Sequence, residues 1–486
     1  MYRLRGSDAF AVYSDSPTSP FVTLKVAIYT PTAAGDTPDV GDIKGFVKER
    51  ITVTGAGRAD YRILRVPFDL HHPVWVHDPD FDPENHLHET ELPSPGGKEQ
   101  LCDFLSELMG KPLNPDIPLW EIWLIRGLAA GKIAIAFKIH HALADGKMIS
   151  RMIEIAHRRT NFGDVSKEEV GGEPIPAKSR LVGDALLDLA RSYTIELPHF
   201  YHHIKQARRK SAAIIEAMAG AEEKVVAPFS APFTLLNKIG GGAERIYRYE
   251  TFSLSEFKTL SRHFDCTINT LVMGVCSESL KRYLRDIDDL PSESLIVAMP
   301  IGDQAGSSLR KLLKSDIQNN NLAVAILPLY QNIGEFSQRL AAIKKAARAA
   351  IDHVRHADGR RFDNYFDYMP GTAVRLMHSA INNRQRKKRN PHANTVISNV
   401  PGPRKTLYAL DGRLKLEELL SVGNLTDAGH LNITVWSYVD KLSFSFLIRE
   451  GALPQPESLV AHVKDVVEEL RERYLADTVV QSRGRQ

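Results

Sequence analysis

This chain of 486 residues has few cysteines, no long apolar run and nearly balanced charge. Its three cysteines, Cys102, Cys266 and Cys276, follow no metal-ligand spacing and cannot all pair, which favours a reduced setting and argues against a metal site. No apolar run approaches the roughly 20 residues that span a membrane, and the first residues lack the apolar core of a signal peptide. We therefore expect a cytoplasmic protein without a spanning helix.

Motifs of several other protein classes are also missing. The net charge of +3 is too small to indicate nucleic-acid binding. The chain has no Gly-x-Ser-x-Gly elbow, which argues against a serine esterase, and Gly55-Ala56-Gly57 lacks the third glycine of a nucleotide-binding loop. The hydrophobic share of 43% and the charged share of 25% are those of an ordinary globular protein, and the length suffices for two domains.

The most informative segment that the chain does contain is HHALADG, over residues 140–146. Apolar side chains alternate with others from Ile133 to Ile139, which predicts a strand over 133–141. Side chains two residues apart share a face of a strand, so His141 continues the apolar row and His140 points to the opposite face.

The position of His141 suits a general base. A histidine at the edge of an apolar face is partly desolvated, which lowers the pKa of an imidazole and keeps it neutral at pH 7. Asp145, four residues on, is placed to hold the turn, cap the next helix or orient the ring. The structural alternative is a satisfied, half-buried histidine. His71-His72 is interpreted as structural or incidental, because no acid follows it at the matching offset.

Further segments extend the pattern over nearly the whole chain. They are Ser7-Asp8-Ala9-Phe10, Trp75, Asp78, Phe81-Asp82, His86, Leu92-Pro93, Pro118-Leu119-Trp120-Glu121, Asn269, Ser398-Asn399-Val400-Pro401-Gly402-Pro403, Leu431-Asn432-Ile433-Thr434 and Ser437-Tyr438. In this order they resemble the bacterial wax ester synthase/diacylglycerol acyltransferase family. The histidine motif alone is shared with condensation domains, chloramphenicol acetyltransferase-like enzymes and other acyltransferases, so the flanking segments make the resemblance specific.

The resemblance implies an α/β fold of two chloramphenicol-acetyltransferase-like domains with mixed β-sheets and flanking helices, and an active-site channel between them. It implies transfer of a long-chain acyl group from acyl-CoA to a long-chain alcohol or to diacylglycerol, which yields a wax ester or a triacylglycerol. Acyl-CoA is then a substrate, and no cofactor or metal is expected. An acyl thioester is already activated, so one histidine base suffices without a covalent acyl intermediate.

Roles for the motif residues follow. We assign His141 as the base that takes the acceptor's hydroxyl proton and returns it to the leaving thiolate. His140 orients or packs from the other strand face, and Asp145 holds the motif turn through a salt bridge. These three residues form the predicted catalytic set.

Three more residues are candidates for binding. Asn269, near the start of a predicted helix, is either an oxyanion or substrate-positioning residue or a helix cap. Gly146 is a second candidate for substrate or oxyanion binding. Pro118-Leu119-Trp120 is either a buried wedge in a loop, or it places Trp120 against the acyl tunnel.

Two departures from the family pattern bear on activity. Thr270 follows Asn269 where the family has aspartate, and residues 300–304 lack the arginine of the family's Pro-x-Ser-x-Arg motif. Two alternatives therefore stay open. One is a different HHxxxDG acyltransferase with a carrier-bound acyl group or a diol acceptor, and the other is a condensation-like protein that binds acyl chains without turnover.

The chain divides into two α/β halves joined by a connector. Residues 1–157 form the predicted N-terminal acyltransferase domain with the histidine motif. The charged, glycine-bearing sequence over 158–244 predicts a helical and flexible connector. Residues 245–478 form the predicted C-terminal acyltransferase-like domain, and 479–486 are a polar tail.

Two basic clusters lie outside the motif, at 205–210 and at Arg386, Lys387, Lys388 and Arg389. The ordinary interpretation of such clusters is a solvated helix face. Two functional interpretations compete with it. The clusters bind either the phosphates of coenzyme A or anionic lipid headgroups. An apolar stretch precedes the second cluster, which suits a helix on a membrane surface. We therefore expect peripheral attachment to the inner face of the membrane or to lipid droplets.

Overall fold

The computed structural model describes residues 1–33, 38–54, 59–143, 153, 157, 174–196, 226–227, 229–302, 322–356, 366–427 and 429–483. Its strands are β1 (Tyr2–Arg3), β2 (Val22–Pro31), β3 (Tyr61–Leu64), β4 (Val74–His77), β5 (Leu87–Glu91), β6 (Trp120–Arg126), β7 (Ile133–His140), β8 (Arg245–Ser253), β9 (Ile296–Gly302), β10 (Leu322–Pro328), β11 (Thr395–Val400), β12 (Tyr408–Ala409), β13 (Leu414–Val422), β14 (Leu431–Tyr438) and β15 (Lys441–Arg449). Its α-helices are α1 (Gly6–Ser14), α2 (Val40–Thr54), α3 (Lys98–Gly110), α4 (Lys178–Arg191), α5 (Leu254–His263), α6 (Ile268–Asp286), α7 (Phe336–His356), α8 (Gly371–Arg386) and α9 (Pro456–Arg483).

Six strands form the N-terminal sheet, in the order β12-β13-β2-β7-β6-β5. β2 and β7 pair antiparallel within it, with Val22 opposite His140. Their side chains alternate between two faces, as the sequence pattern predicts. On one face Leu24 and Val26 share a buried core with the apolar residues of α3, which recur at helical spacing.

The C-terminal sheet also has six strands, in the order β10-β9-β11-β14-β15-β8. β11 runs parallel to both β9 and β14, and the remaining neighbours are antiparallel, so the sheet is mixed. The hairpin predicted over 431–448 is present as β14 and β15. One face of this sheet shares a core with α5, α6, α7 and α9. A third, three-stranded sheet has the order β1-β4-β3.

Two strands of the second half belong to the first sheet. β13 pairs antiparallel with β2, and β12 pairs with β13, although both follow β11 in the chain. The prediction placed residues 408–422 in the C-terminal domain, because a local pattern indicates a strand but not its partner. The domain limits at 157, 244 and 478 stay predictions.

A core shared by both halves lies beside the end of β7. It contains Trp120 and Ile139 from the N-terminal sheet, Trp436 from β14 and Val374 from α8. The face of β7 that carries Ile139 therefore looks toward the C-terminal half. Of the helices in the described ranges, none is long and apolar enough to cross a membrane.

Candidate active site

The histidine pair lies where β7 ends. His140 is the last residue of the strand, and His141 begins the turn that follows, one residue earlier than the predicted strand end. The N–H of His141 still donates to the carbonyl of Phe21 at 3.0 Å, which continues the pairing of β7 with the segment before β2. His140 is buried and His141 is half-buried.

His140 makes two polar contacts inside the protein. Its Nδ1 accepts the N–H of Ala142 at 3.1 Å, and its Nε2 lies 3.9 Å from Asp15 Oδ2. Burial, followed by the charge of neighbouring His141, lowers the pKa of His140 to about 3. The ring is therefore neutral at pH 7. These contacts support the orienting role assigned from the sequence, which stays a prediction.

The side chain of His141 contacts an aromatic ring beside the core shared by both halves. The ring of Phe21 meets the imidazole edge to face, with 5.7 Å between the ring centroids. Ala142 and Leu143, the next two residues, are buried in the core shared by both halves. Asp145 and Gly146 lie outside the described residues, so their roles stay predictions.

Trp120 is buried, as predicted, but it is the first residue of β6, and only Pro118 and Leu119 lie in the predicted loop. Its Nε1 donates to the carbonyl of Ala59 at 2.7 Å, and its ring stacks on His86 with 4.2 Å between the centroids. Trp120 pairs with Ile139 across β6 and β7. Directly opposed residues share a face of a sheet, so Trp120 lies on the face of the apolar row that leads to His141.

Asn269 is the second residue of α6 and does not cap it. Thr267 is the N-cap, and its hydroxyl accepts the N–H of Thr270 at 3.1 Å. The helix-cap alternative for Asn269 is therefore wrong, because the extended residue that precedes the helix lies two positions earlier. Asn269 Nδ2 donates to Met299 Sδ at 3.0 Å, against β9. The oxyanion role stays a prediction.

The second basic cluster is exposed throughout. Arg386 ends α8, and Lys387, Lys388 and Arg389 follow it. Arg386 also lines a cavity of about 840 Å³ between the end of α1 and α8. Leu376, on the same helix, is 71% exposed. The cluster at 205–210 lies outside the described residues.

His71 and His72 are both buried, as expected of a structural pair. The N–H of His72 donates to His71 Nδ1 at 2.8 Å, and His72 Nε2 lies 2.6 Å from the carbonyl of Phe366. Burial is the main cause that lowers the pKa of His71 to about 3 and that of His72 to about 4. His71 Nε2 also lies 3.7 Å from Asp188 Oδ2. Two buried, neutral rings with these contacts fit a structural role.

Two charged residues near the site were not predicted from the sequence. Asp15 faces His140, as described above. Lys25 is buried on β2, where its Nζ donates to Thr23 Oγ1 and to Ser421 Oγ, both at 2.7 Å. The one local signal for Lys25 was a lysine inside an apolar strand. Asp15 had no local signal, because its partner lies far away in the chain.

Comparison with known proteins defines the class. Residues 4–272 match the wax ester synthase/diacylglycerol acyltransferase catalytic domain, and residues 318–471 match the C-terminal domain of that family. An O-acyltransferase of Acinetobacter baylyi is 28% identical over 402 residues, 81% of this chain and 82% of that protein.

Solved structures of other proteins share the fold, among them an acyltransferase and a condensation domain. The wax ester synthase/diacylglycerol acyltransferase of Marinobacter aquaeolei is 22% identical with a TM-score of 0.64, over 97% of this chain and 99% of the other. The starter condensation domain of rhizomide synthetase, solved with C8-CoA and Leu-SNAC, is 12% identical with a TM-score of 0.55, over 97% and 93% of the two chains.

The protein is therefore an acyltransferase, and it shares its fold with the Marinobacter enzyme and with the condensation domain. It belongs to the wax ester synthase/diacylglycerol acyltransferase family, as the sequence motifs indicated. The resemblance and the fold class predicted from the sequence are thus confirmed.

Proposed function

We propose that this acyltransferase moves a long-chain acyl group from acyl-CoA to a long-chain alcohol or to diacylglycerol, with His141 as the general base. The observation that carries the proposal is the position of His141, half-buried at the end of β7 beside the core shared by both halves. The name of the Marinobacter relative covers both acceptor classes, and the rhizomide synthetase domain of the same fold was solved with C8-CoA.

In the proposed reaction the acceptor's hydroxyl oxygen attacks the thioester carbonyl carbon, and the imidazole of His141 takes the hydroxyl proton. The negative charge on the tetrahedral intermediate needs a hydrogen-bond donor, for which Asn269 and Gly146 are the candidates. The carbon–sulfur bond then breaks, and the protonated ring returns the proton to the thiolate. An ester and free coenzyme A leave the site, so no cofactor is consumed.

The surroundings of His141 favour an apolar substrate. Phe21, Trp120 and Ile139 lie on or beside the row that leads to it, and Trp436 of β14 belongs to the same buried core. In the proposed complex an acyl or alkyl chain lies at the edge of this core, and each Å² of its apolar area removed from water contributes about 25 cal/mol. Exclusion of water also protects the thioester from hydrolysis.

We further propose that the protein works at the surface of a membrane or lipid droplet on the cytoplasmic side. Arg386, Lys387, Lys388 and Arg389 are exposed together at the end of α8, and Leu376 is exposed on the same helix. Each basic side chain near an anionic surface contributes about 1 kcal/mol. Four of them support reversible attachment, and the apolar acceptors are found at such a surface.

Release of free thiol from acyl-CoA tests the proposed reaction most simply. The purified protein is incubated with a long-chain alcohol, with diacylglycerol or with neither. We expect thiol and ester to appear in equal amounts, and only when an acceptor is present. Binding of acyl-CoA without thiol release for any acceptor would contradict the proposal and favour the acyl-binding alternative. Transfer from a carrier-bound donor alone would favour the other acyltransferase class.

A further inference from the structure

Asp15 contacts the histidine motif from a distant part of the chain. It is the first residue after α1, and its side chain is 38% exposed. Its Oδ1 accepts the N–H of Phe21 at 2.7 Å, and its Oδ2 lies 3.9 Å from His140 Nε2. One carboxylate thus faces both the residue that precedes β2 and the last residue of β7.

Two series of contacts connect the Asp15 carboxylate with the backbone of the motif turn, one through Phe21 and one through His140. Phe21, held through its N–H by Asp15, accepts the N–H of His141 at 3.0 Å with its carbonyl. His140, which faces Asp15, accepts the N–H of Ala142 at 3.1 Å with Nδ1. The amide groups of two consecutive residues, the proposed base and its neighbour, are therefore bonded to residues that Asp15 contacts.

The tautomer of His140 links Asp15 to the turn. Because Nδ1 accepts a hydrogen bond from the N–H of Ala142, a neutral ring carries its own proton on Nε2, the nitrogen that faces Asp15. A distance of 3.9 Å is too long for a direct hydrogen bond, so the contact is an electrostatic attraction between the carboxylate and the polar Nε2–H group. The opposite tautomer would direct a proton from Nδ1 at the N–H of Ala142.

We propose that Asp15 is a positioning residue for acyl transfer, which holds His140 in the Nε2–H tautomer and thereby fixes the turn that carries His141. This inference rests on the proposed function of His141 as the base. Asp15 acts through His140 and Phe21, not through the substrate. Because a displacement of about 1 Å at a catalytic group lowers a rate by about 100-fold, looser positioning should lower kcat and leave KM nearly unchanged.

The chain offers a matched control for this test. Asp15 and Asp427 line the same cavity of about 840 Å³. Asp427 accepts hydrogen bonds from the hydroxyls of Ser16 and Thr18, at 3.2 and 3.4 Å. Asp15→Asn and Asp427→Asn therefore make the same change in charge and size within one cavity, but only the first lies beside His140. Asp15→Glu keeps the charge on a longer side chain.

Steady-state kinetics of the full chain with acyl-CoA and a long-chain alcohol give the first readout. We expect Asp15→Asn to lower kcat roughly 10-fold or more, which corresponds to about 1.4 kcal/mol or more in the barrier. KM should stay near the wild-type value. Asp15→Glu should recover part of the loss, and Asp427→Asn should stay within about twofold of wild type. An unchanged kcat in Asp15→Asn, or an equal loss in both asparagine variants, would overturn the inference.

The ¹⁵N chemical shifts of the His140 ring in the substrate-free protein give a second readout that does not depend on turnover. We expect a protonated Nε2 in the wild type and a smaller Nε2-protonated fraction in Asp15→Asn, because the N–H of Ala142 still favours that tautomer but the attraction to the carboxylate is lost. A wild-type ring protonated on Nδ1, or an unchanged ring in Asp15→Asn, would overturn the role of Asp15. A fully active His141→Ala would instead overturn the proposed function and leave the tautomer result standing.

Discussion

Lys25 Nζ lies 5.3 Å from the centroid of the Trp436 ring, so a buried lysine of the N-terminal sheet faces an aromatic side chain of the C-terminal sheet. The other contacts of this amine are the hydroxyls of Thr23 and Ser421. Ser421 belongs to β13, one of the two strands that the second half contributes to the first sheet. The halves are therefore joined by a polar group as well as by apolar packing.

We predict that Lys25 makes the stability of the protein depend on pH. Burial lowers the pKa of Lys25 to about 7, below the value of about 10.4 for lysine in an unfolded chain. Between these values the unfolded state binds more protons, so the free energy of unfolding rises with pH, at most by about 1.4 kcal/mol per pH unit. Lys25→Met should flatten this rise between pH 7 and 9 in urea denaturation.

The exposed lysine Lys111 provides a control for this measurement. Lys111→Met should keep the wild-type pH dependence, because its side chain is solvated in both the folded and the unfolded protein. The difference between the pH dependences of wild type and Lys25→Met gives the contribution of Lys25 alone, separate from that of other groups that titrate in the same range. Parallel curves for wild type and Lys25→Met would show that Lys25 is not the source.

His140→Ala should destabilise the fold more than His141→Ala does. Removal of the buried His140 ring leaves a cavity and deprives the N–H of Ala142 of its acceptor. Together these losses are expected to cost about 2–4 kcal/mol. Equilibrium denaturation of both variants measures the difference. A larger loss for His141→Ala would show that the structural and catalytic roles have been assigned the wrong way round.

Replacement of Arg386, Lys387, Lys388 and Arg389 by glutamine separates the two functional interpretations of the basic cluster. If the cluster binds a membrane, binding to anionic vesicles should fall by about 1 kcal/mol for each residue removed. Turnover of a short, water-soluble alcohol should change little, because the chemistry lies elsewhere. Sedimentation with vesicles and the KM for acyl-CoA are the measurements.

A control with the same change in charge removes four exposed basic residues from α5 and α9. They are Lys258, Arg262, Lys464 and Arg471. Vesicle binding of this control should stay close to that of wild type. Intact vesicle binding in the Arg386–Arg389 variant, with a sharply raised KM for acyl-CoA, would contradict the membrane proposal and assign the cluster to coenzyme A.

The spacing of apolar residues along the chain predicted many of the strands and helices, because it indicates which side chains are buried. The alternation from Ile133 to Ile139 predicted β7, and the hairpin of β14 and β15 followed from apolar residues at two-residue spacing. The position of β13 beside β2 was not predicted, because a strand pattern contains no information about its partner. Asn269 was placed near the start of its helix correctly, but the cap is Thr267, two residues earlier.

The sequence named the histidine motif, Trp120 and Asn269 as candidates, but not the residues that contact the motif from distant segments. His140 and His141 were identified from seven consecutive residues and their flanking segments. Asp15 and Lys25 were missed, because their partners belong to segments far away in the chain. A charge inside an apolar strand, as at Lys25, is a signal of a buried polar contact but does not name the contact. The partners of such residues can be identified only from the assembled sheet.

The central claim is that His141 is the base in acyl transfer, and kcat of purified His141→Ala tests it most directly. The variant must first be shown to be folded and to bind acyl-CoA, so that any loss belongs to chemistry. We predict that thiol release with a long-chain alcohol falls by about 100-fold or more, the scale expected when a general base is removed. A folded variant that turns over at a rate near that of wild type would contradict the account.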